Sequence, residues 1–250
     1  MNVLFSLAKN AFREAIRDRI LSVIFVFGFL FLLAAPLAGK LAVGQEQRLV
    51  ANFGISMIHL FGIFLTIFVG SRLIFNEIDK KTIFLLIPKP IPRSSIILGK
   101  FFGLGAVLFL TTMLMTGVYF FLVPFSFAIL LTVALLYLSF LLLLALVLFL
   151  SSFMSPLLSS VAGILLFVVG NTTASLKILS AHFGGEVFQK FSNVIYVIMP
   201  NFSSLNLKNY ILYDIPYTSL DIFYIVLTAV LFILLFLIFA ILIFSRKQFV

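Results

Sequence analysis

The sequence predicts an all-α polytopic membrane protein of six transmembrane helices, organised as one domain over residues 1–250. Three observations predict it. The first is composition: 63% of the residues are hydrophobic, 10% are charged and the mean hydropathy is +1.29, whereas a soluble domain is about 25% charged. The second is segmentation: apolar residues gather at 20–38, 49–71, 101–123, 125–153, 157–179 and 222–244, most of them long enough to cross a bilayer as helix. The third is the placement of charge. With the N-terminus, the central loop and the C-terminus on one side, only five of the 17 basic residues (Lys40, Arg48, Lys177, Lys190 and Lys208) fall on the other. That bias assigns both termini to the cytoplasm, requires an even number of spans, and suits a multi-pass protein of the cell (inner) membrane.

Taken in order, residues 2–18 form an amphipathic helix. Leu4, Phe5, Ala8, Ala11, Phe12, Ala15 and Ile16 make its apolar face, opposite Lys9, Asn10, Arg13, Glu14, Arg17 and Asp18. It is expected to lie in the headgroup plane. Span one follows, with Pro36 near its end, and then a short polar loop. Span two carries Gly54, Gly62, Thr66 and Gly70 at multiples of four, a small-residue stripe that permits close helix approach; Gly62, Thr66 and Gly70 are its candidate packing positions. It also carries Asn52 and His59. An intramembrane histidine is a functional-site candidate, although a neutral imidazole hydrogen-bonded to a neighbouring helix is the commoner case. Span three opens on Gly99 and Gly103, a GxxxG pattern that is weak evidence by itself. Pro124 marks the outer turn, span four is long enough to tilt, and Ser151, Ser152, Ser155 and Pro156 make an uncharged turn. In span five, Gly170, Asn171, Thr172 and Thr173 are expected to interrupt a short apolar run that continues towards Leu179, with Lys177 near the interface. Between 180 and 220 the apolar patch 194–199 is too short to span and reads as a re-entrant half-helix, tolerated only under protein cover. Thr218 and Asp221 suggest the N-cap of span six, and Arg246 and Lys247 anchor its end.

Between spans two and three lies a charged loop, 76–100. Residues 79–87 fit a short amphipathic helix, with Ile83, Leu86 and Ile87 at 3–4 spacing. Pro88, Pro90 and Pro92 then forbid helix, because alternate residues lack an N–H and each preceding residue leaves the α region. Ser94 or Ser95 is expected to cap the next helix. If helix reaches Lys81, it forms an i,i+4 pair with Glu77. A short helix on a stiff hinge is a handle for something outside the membrane; a plain solvated connector is the bland alternative.

The residue inventory excludes several chemistries. There is no cysteine, hence no disulfide, thiol catalysis or zinc–thiolate site. No GxxxxGK[ST] is present, so ATP binding through a P-loop is not expected of this chain. His59 and His182 stand in no HExxH. No span has Asp or Glu near its middle, as a proton- or sodium-coupled carrier usually needs. Catalysis is not expected of this chain, no cofactor or metal is implied, and the energy source should lie outside it. The net charge of +9 sits beside membrane spans, so membrane lipid rather than nucleic acid is the expected partner of the basic residues. A cleavable signal peptide is not expected.

Glu77 followed by Lys81-Thr82, Leu85-Leu86, Lys89-Pro90, Arg93 and Gly99-Lys100 resembles the cytoplasmic loop of ABC-2 type ABC-transporter permeases. The nearest branch is that of bacterial permeases related to the one encoded with nitrous-oxide reductase (copper-enzyme) maturation genes. The resemblance extends to Phe12-Arg13-Glu14-Ala15, Arg17-Asp18-Arg19 and Phe244-Ser245-Arg246-Lys247. It implies the permease subunit of an ATP-driven exporter, and it implies short re-entrant or external helices before the last span. It also implies a coupling helix that docks on a separate ABC ATPase subunit, present in two copies, through Glu77, Asp79, Lys80, Lys81, Thr82, Ile83, Leu86, Pro88, Lys89 and Arg93. A second permease copy or a related permease completes the implied complex. A stand-alone channel or carrier, and a membrane scaffold or lipid-modifying enzyme, are the competing readings; a lone carrier has no need of a handle in that loop, whereas a permease driven by a separate ATPase does.

Overall fold

The computed structural model describes residues 3–40, 44–79, 92–183, 185–208 and 218–246, with backbone alone described at 74–79, 93 and 181–183. Every extended element among them is helical. The helices are α1 (Val3–Ile16), α2 (Arg19–Leu33), α3 (Ala35–Gly39), α4 (Glu46–Asp79) and α5 (Arg93–Leu122). They continue as α6 (Phe127–Ser151), α7 (Pro156–Phe183), α8 (Glu186–Ile198), a 3₁₀ turn (Ser203–Leu205) and α9 (Ser219–Arg246). Among the described residues, six helical stretches are long and apolar enough to cross a membrane: α2 with α3, then α4, α5, α6, α7 and α9.

α6 is the axis. It is hydrophobic all round, and Leu136, Phe140, Leu143, Leu144, Val147 and Leu148 are fully buried, as expected of a helix enclosed by others. α4, α5, α7 and α9 surround it, and α2 packs outside on α4 and α5. The outer faces of α2, α7 and α9 expose Val26, Leu30, Val161, Leu165, Leu234 and Ile238, which suits lipid or another apolar surface. The alternation of these helices returns the end of α9, at Arg246, to the end of the bundle where α1 lies. That end, where α4 finishes and α5 begins, is the loop end; the opposite one is the far end.

Helix boundaries follow local chemistry. α1 stops at Ile16, and Asp18 caps the next helix instead of extending the first: its Oδ1 accepts from the Ile20 N–H at 2.8 Å. Span one breaks at Ala34 because Pro36 lacks an N–H and its ring crowds the carbonyl four residues earlier. α5 starts at Arg93 with extended Pro92 at its cap (φ −63°, ψ 133°) and no side-chain cap. Ser94 and Ser95 therefore lie inside the first turn, where the Ser95 N–H bonds the Pro92 carbonyl at 2.9 Å; the preset φ of proline starts the helix before a serine can. At α9, the Thr218 N–H donates to Asp221 Oδ2 at 3.1 Å, and the helix begins at Ser219.

A further sequence expectation is corrected. α7 runs unbroken through Gly170–Thr173. The Thr172 hydroxyl donates back to the carbonyls of Val168 and Val169, and that of Thr173 to Gly170, so these polar side chains are satisfied within the helix. Residues 194–198 form the last part of α8, a 13-residue amphipathic helix that leaves Val187, Phe191, Val194 and Ile198 exposed, with Met199 at its C-cap. The inserted segment is the next one, 200–208, where Phe202, Leu205 and Leu207 are buried. Its turn is held by Asn201, whose Oδ1 accepts from the Ser203 hydroxyl at 2.7 Å and from the Ser204 N–H at 3.3 Å. Irregular backbone within a membrane survives only inside protein, and this segment has both the cover and its own polar partners.

Candidate functional site

At the loop end, α4, α5 and α1 converge on the connection between spans two and three. α4 is a single helix of 34 residues, about 51 Å long, so it carries its axis well beyond a hydrocarbon core of about 30 Å. Its extension holds Glu77 and Asp79 in the last turn. Arg93 is the first residue of α5. The side chains of all three lie outside the described set, as do Lys80, Lys81, Thr82, Ile83, Leu86, Pro88 and Lys89 altogether. The amphipathic helix expected at 79–87 thus falls outside the described residues.

What the structure adds is how the two helices flanking that connection are tied together. Lys100, in the second turn of α5, is 3% exposed, and its Nζ donates to the Leu73 carbonyl of α4. An ammonium withdrawn from water needs such an acceptor. One level deeper, the Ser160 hydroxyl of α7 donates to that of Ser71 on α4 at 2.8 Å, and Ser71 donates to the Phe68 carbonyl at 3.1 Å. The N-terminal helix locks the other side. A Cβ on Gly99 would stand 2.6 Å from Leu7 Cβ, and one on Gly103 would strike the Ala8 carbonyl and stand 2.7 Å from Ala11 Cβ. The GxxxG pair is therefore the seat of α1. Sequence reasoning discounted the pair because the pattern is common. The missed signal was the complementary small stripe on α1: Ala8, Ala11 and Ala15, the last two buried.

The stripe of span two faces the centre of the same chain. A Cβ on Gly62 would collide with the Phe140 ring, and one on Gly70 would stand 3.3 Å from both Leu144 Cδ1 and Val147 Cγ1. Thr66 is buried, with its hydroxyl returned to the Gly62 carbonyl at 2.7 Å. Gly62 and Gly70 thus set how closely α4 approaches α6.

Towards the far end, α4 presents Ser56 and His59 to the inserted segment, with the Ser56 hydroxyl also donating to Asn52 Oδ1 at 3.4 Å. Asn206 Nδ2 donates to His59 Nδ1 at 3.3 Å, and Lys208 Nζ donates to the Ser56 hydroxyl at 3.1 Å. The imidazole ring lies between Phe140, at 6.1 Å, and Phe167, at 6.0 Å. Its Nε2 is buried without a partner among the described residues. Phe202 inserts beside Phe167, at 5.1 Å, and against Gly170, where a Cβ would stand 2.6 Å from the Pro200 carbonyl. The histidine joins a structural contact between a span and the inserted segment. Among the described residues no group of three His, Cys, Asp or Glu side chains could hold a metal ion.

A family model described as ABC-2 family transporter protein matches residues 5–249, nearly the whole chain. The chain belongs to the ABC-2 transporter family. No curated protein matches it. As an ABC-2 family member this chain is a multi-pass membrane permease subunit of an ABC transporter. The long α4, the braced start of α5 and the seated α1 are the parts of this permease that frame its largest charged loop.

Proposed function

We propose that this permease is driven by a separate ABC ATPase subunit that docks on residues 76–100, and that two permease copies, or this one and a related permease, each take one ATPase. Both termini and the docking loop face the cytoplasm of a cell with this protein in its inner membrane, and transport is outward. The observation that supports the coupling role best is the cross-brace at the loop end. Lys100 fastens the first turns of α5 to the Leu73 carbonyl of α4, and α1 is seated on Gly99 and Gly103. A force applied to 80–91 would then move α4, α5 and α1 as one body, as a rigid-body transition requires. A loop that merely connected two spans would need no such bracing. ATP hydrolysis takes place on the partner chain. Ile83 and Leu86 would enter a groove of the ATPase, with Asp79, Lys80, Lys81, Thr82, Pro88, Lys89 and Arg93 around them, and Glu77 would steady the base of the loop.

Co-purification and reconstitution test this. Wild-type permease should carry an ATPase subunit through purification. Ile83→Asp and Leu86→Asp should lose it, because each places a charge in an apolar contact. Glu77→Gln should insert normally and keep the ATPase, yet uncouple hydrolysis from transport. A complex in which all three variants retain both the ATPase subunit and substrate-stimulated hydrolysis would reduce the loop to a connector.

A further inference from the structure

The seat of α1 on α5 leaves a groove of about 640 Å³ on the outer side of the joint. Phe5, Ala8 and Phe12 of α1 line one wall and Phe102, Gly103 and Ala106 of α5 the other. Its lining is almost wholly apolar, and Phe5 and Phe102 remain 61% and 52% exposed. Two cations stand at its edge. Lys9 and Arg13, one turn apart on α1, border the groove, and neither makes an ion pair or a side-chain hydrogen bond among the described residues. Depth fixes what surrounds the groove. The span containing α5 has 29 residues, about 43 Å against a hydrocarbon core of about 30 Å. Shared between its two ends, the excess of about 13 Å is roughly four residues at each, so the helix start lies among headgroups and the groove, at Phe102–Ala106, lies just inside the acyl region. Long basic side chains such as Lys9 and Arg13 reach the headgroups from such a position. An apolar slot with two cations at its rim has the two-part chemistry of one ligand class.

We propose that this groove is a binding site for an anionic glycerophospholipid of the loop-end leaflet. One acyl chain lies between Phe5 and Phe12 of α1 and Phe102 and Ala106 of α5, and the phosphate is held by Lys9 and Arg13. Charge complementarity favours a lipid over a protein segment: the rim is cationic, the wall is apolar, and the leaflet surrounding both supplies anionic headgroups on acyl chains. The bound lipid would splint α1 to α5 beside the Lys100 brace, so leaflet charge would set how firmly that joint is held. The proposal does not depend on what the permease transports or on which ATPase drives it.

The test is native mass spectrometry of the purified full-length chain, titrated with phosphatidylglycerol or with phosphatidylcholine of the same acyl chains. Wild type should retain phosphatidylglycerol preferentially. A basic residue near an anionic surface strengthens binding about fivefold, so K9Q/R13Q should lose roughly twenty-five-fold of that preference. Both side chains are exposed, which leaves the fold intact. Arg48→Gln with Lys190→Gln, at the far end, should change nothing. Ala106→Leu, which fills the groove and keeps the charges, should lower retention of both lipids. Equal retention by wild type and K9Q/R13Q would overturn the proposal, and so would an equal loss in the far-end control, which would mean diffuse charge alone. If Ala106→Leu instead abolished a dimer while lipid retention held, the groove would be a contact between copies, and the lipid assignment would fall.

Discussion

Gly62 shows how a single hydrogen atom sets the geometry of this permease. The ring of Phe140, fully buried in α6, occupies the space a Cβ at position 62 would need. That ring is enclosed on all sides in a filled core, so it has little room to give way. Gly62→Leu should destabilise the bundle by at least the ~1–3 kcal/mol typical of overpacking, read as a lower unfolding midpoint in detergent and loss of transport. Wild-type behaviour in both would remove α4–α6 approach from the account. Lys100 is the opposite kind of residue: long, charged and buried, held by a helix carbonyl on a neighbouring element. The identities of both residues are plain in the sequence. That Gly62 meets Phe140, and that Lys100 turns inward rather than to water, are not, because neither partner is close in sequence.

At the scale of elements, α1 carries the sharpest contrast. Its amphipathic pattern reads directly from the chain, and so does the GxxxG of span three. What joins them is tertiary: Ala8 and Ala11 approach α5 where Gly99 and Gly103 leave room. Two alanine substitutions separate packing from propensity. Gly117 also lies in α5, and a Cβ there meets nothing within 4 Å; Gly117→Ala should be neutral or stabilising by up to about 1 kcal/mol through helix propensity. Gly103→Ala gains the same propensity but drives into the Ala8 backbone, and it should lower the unfolding midpoint and expose α1 to proteolysis. Equal effects of the two changes would mean that α1 is not seated there. The inserted segment 200–208 belongs to the same scale. The run 194–199 is apolar on its own, but α7 covers only part of α8, whereas 200–208 looks polar in sequence and is buried because Asn201 satisfies its turn and Gly170 admits Phe202.

For the whole molecule, six crossings and the distribution of basic residues make one sidedness consistent. With no native cysteine, Lys81→Cys should react only with an impermeant thiol reagent applied from the cytoplasm, and Lys190→Cys, exposed on α8, only from outside; labelling of both from one face would break the six-span topology. Membership of the ABC-2 family and six apolar helices were legible in the chain itself, because hydrophobic length and charge bias act locally. A segment of some twenty apolar residues has no other place to go, and every backbone group in it must be paired within the helix. The sequence by itself thus determined the all-helical class, the six apolar helices and the amphipathic N-terminal helix. Only the tertiary structure decided that α6 is the axis, that α4 carries one helix out to Asp79, that Gly99 and Gly103 receive α1, that Lys100 braces α4 to α5, and that His59 meets Asn206. Those outcomes depend on which surfaces fit at atomic contact between residues far apart in the chain. In lipid, where apolar burial scarcely distinguishes a neighbouring helix from an acyl chain, close fit and satisfied polar groups make that choice.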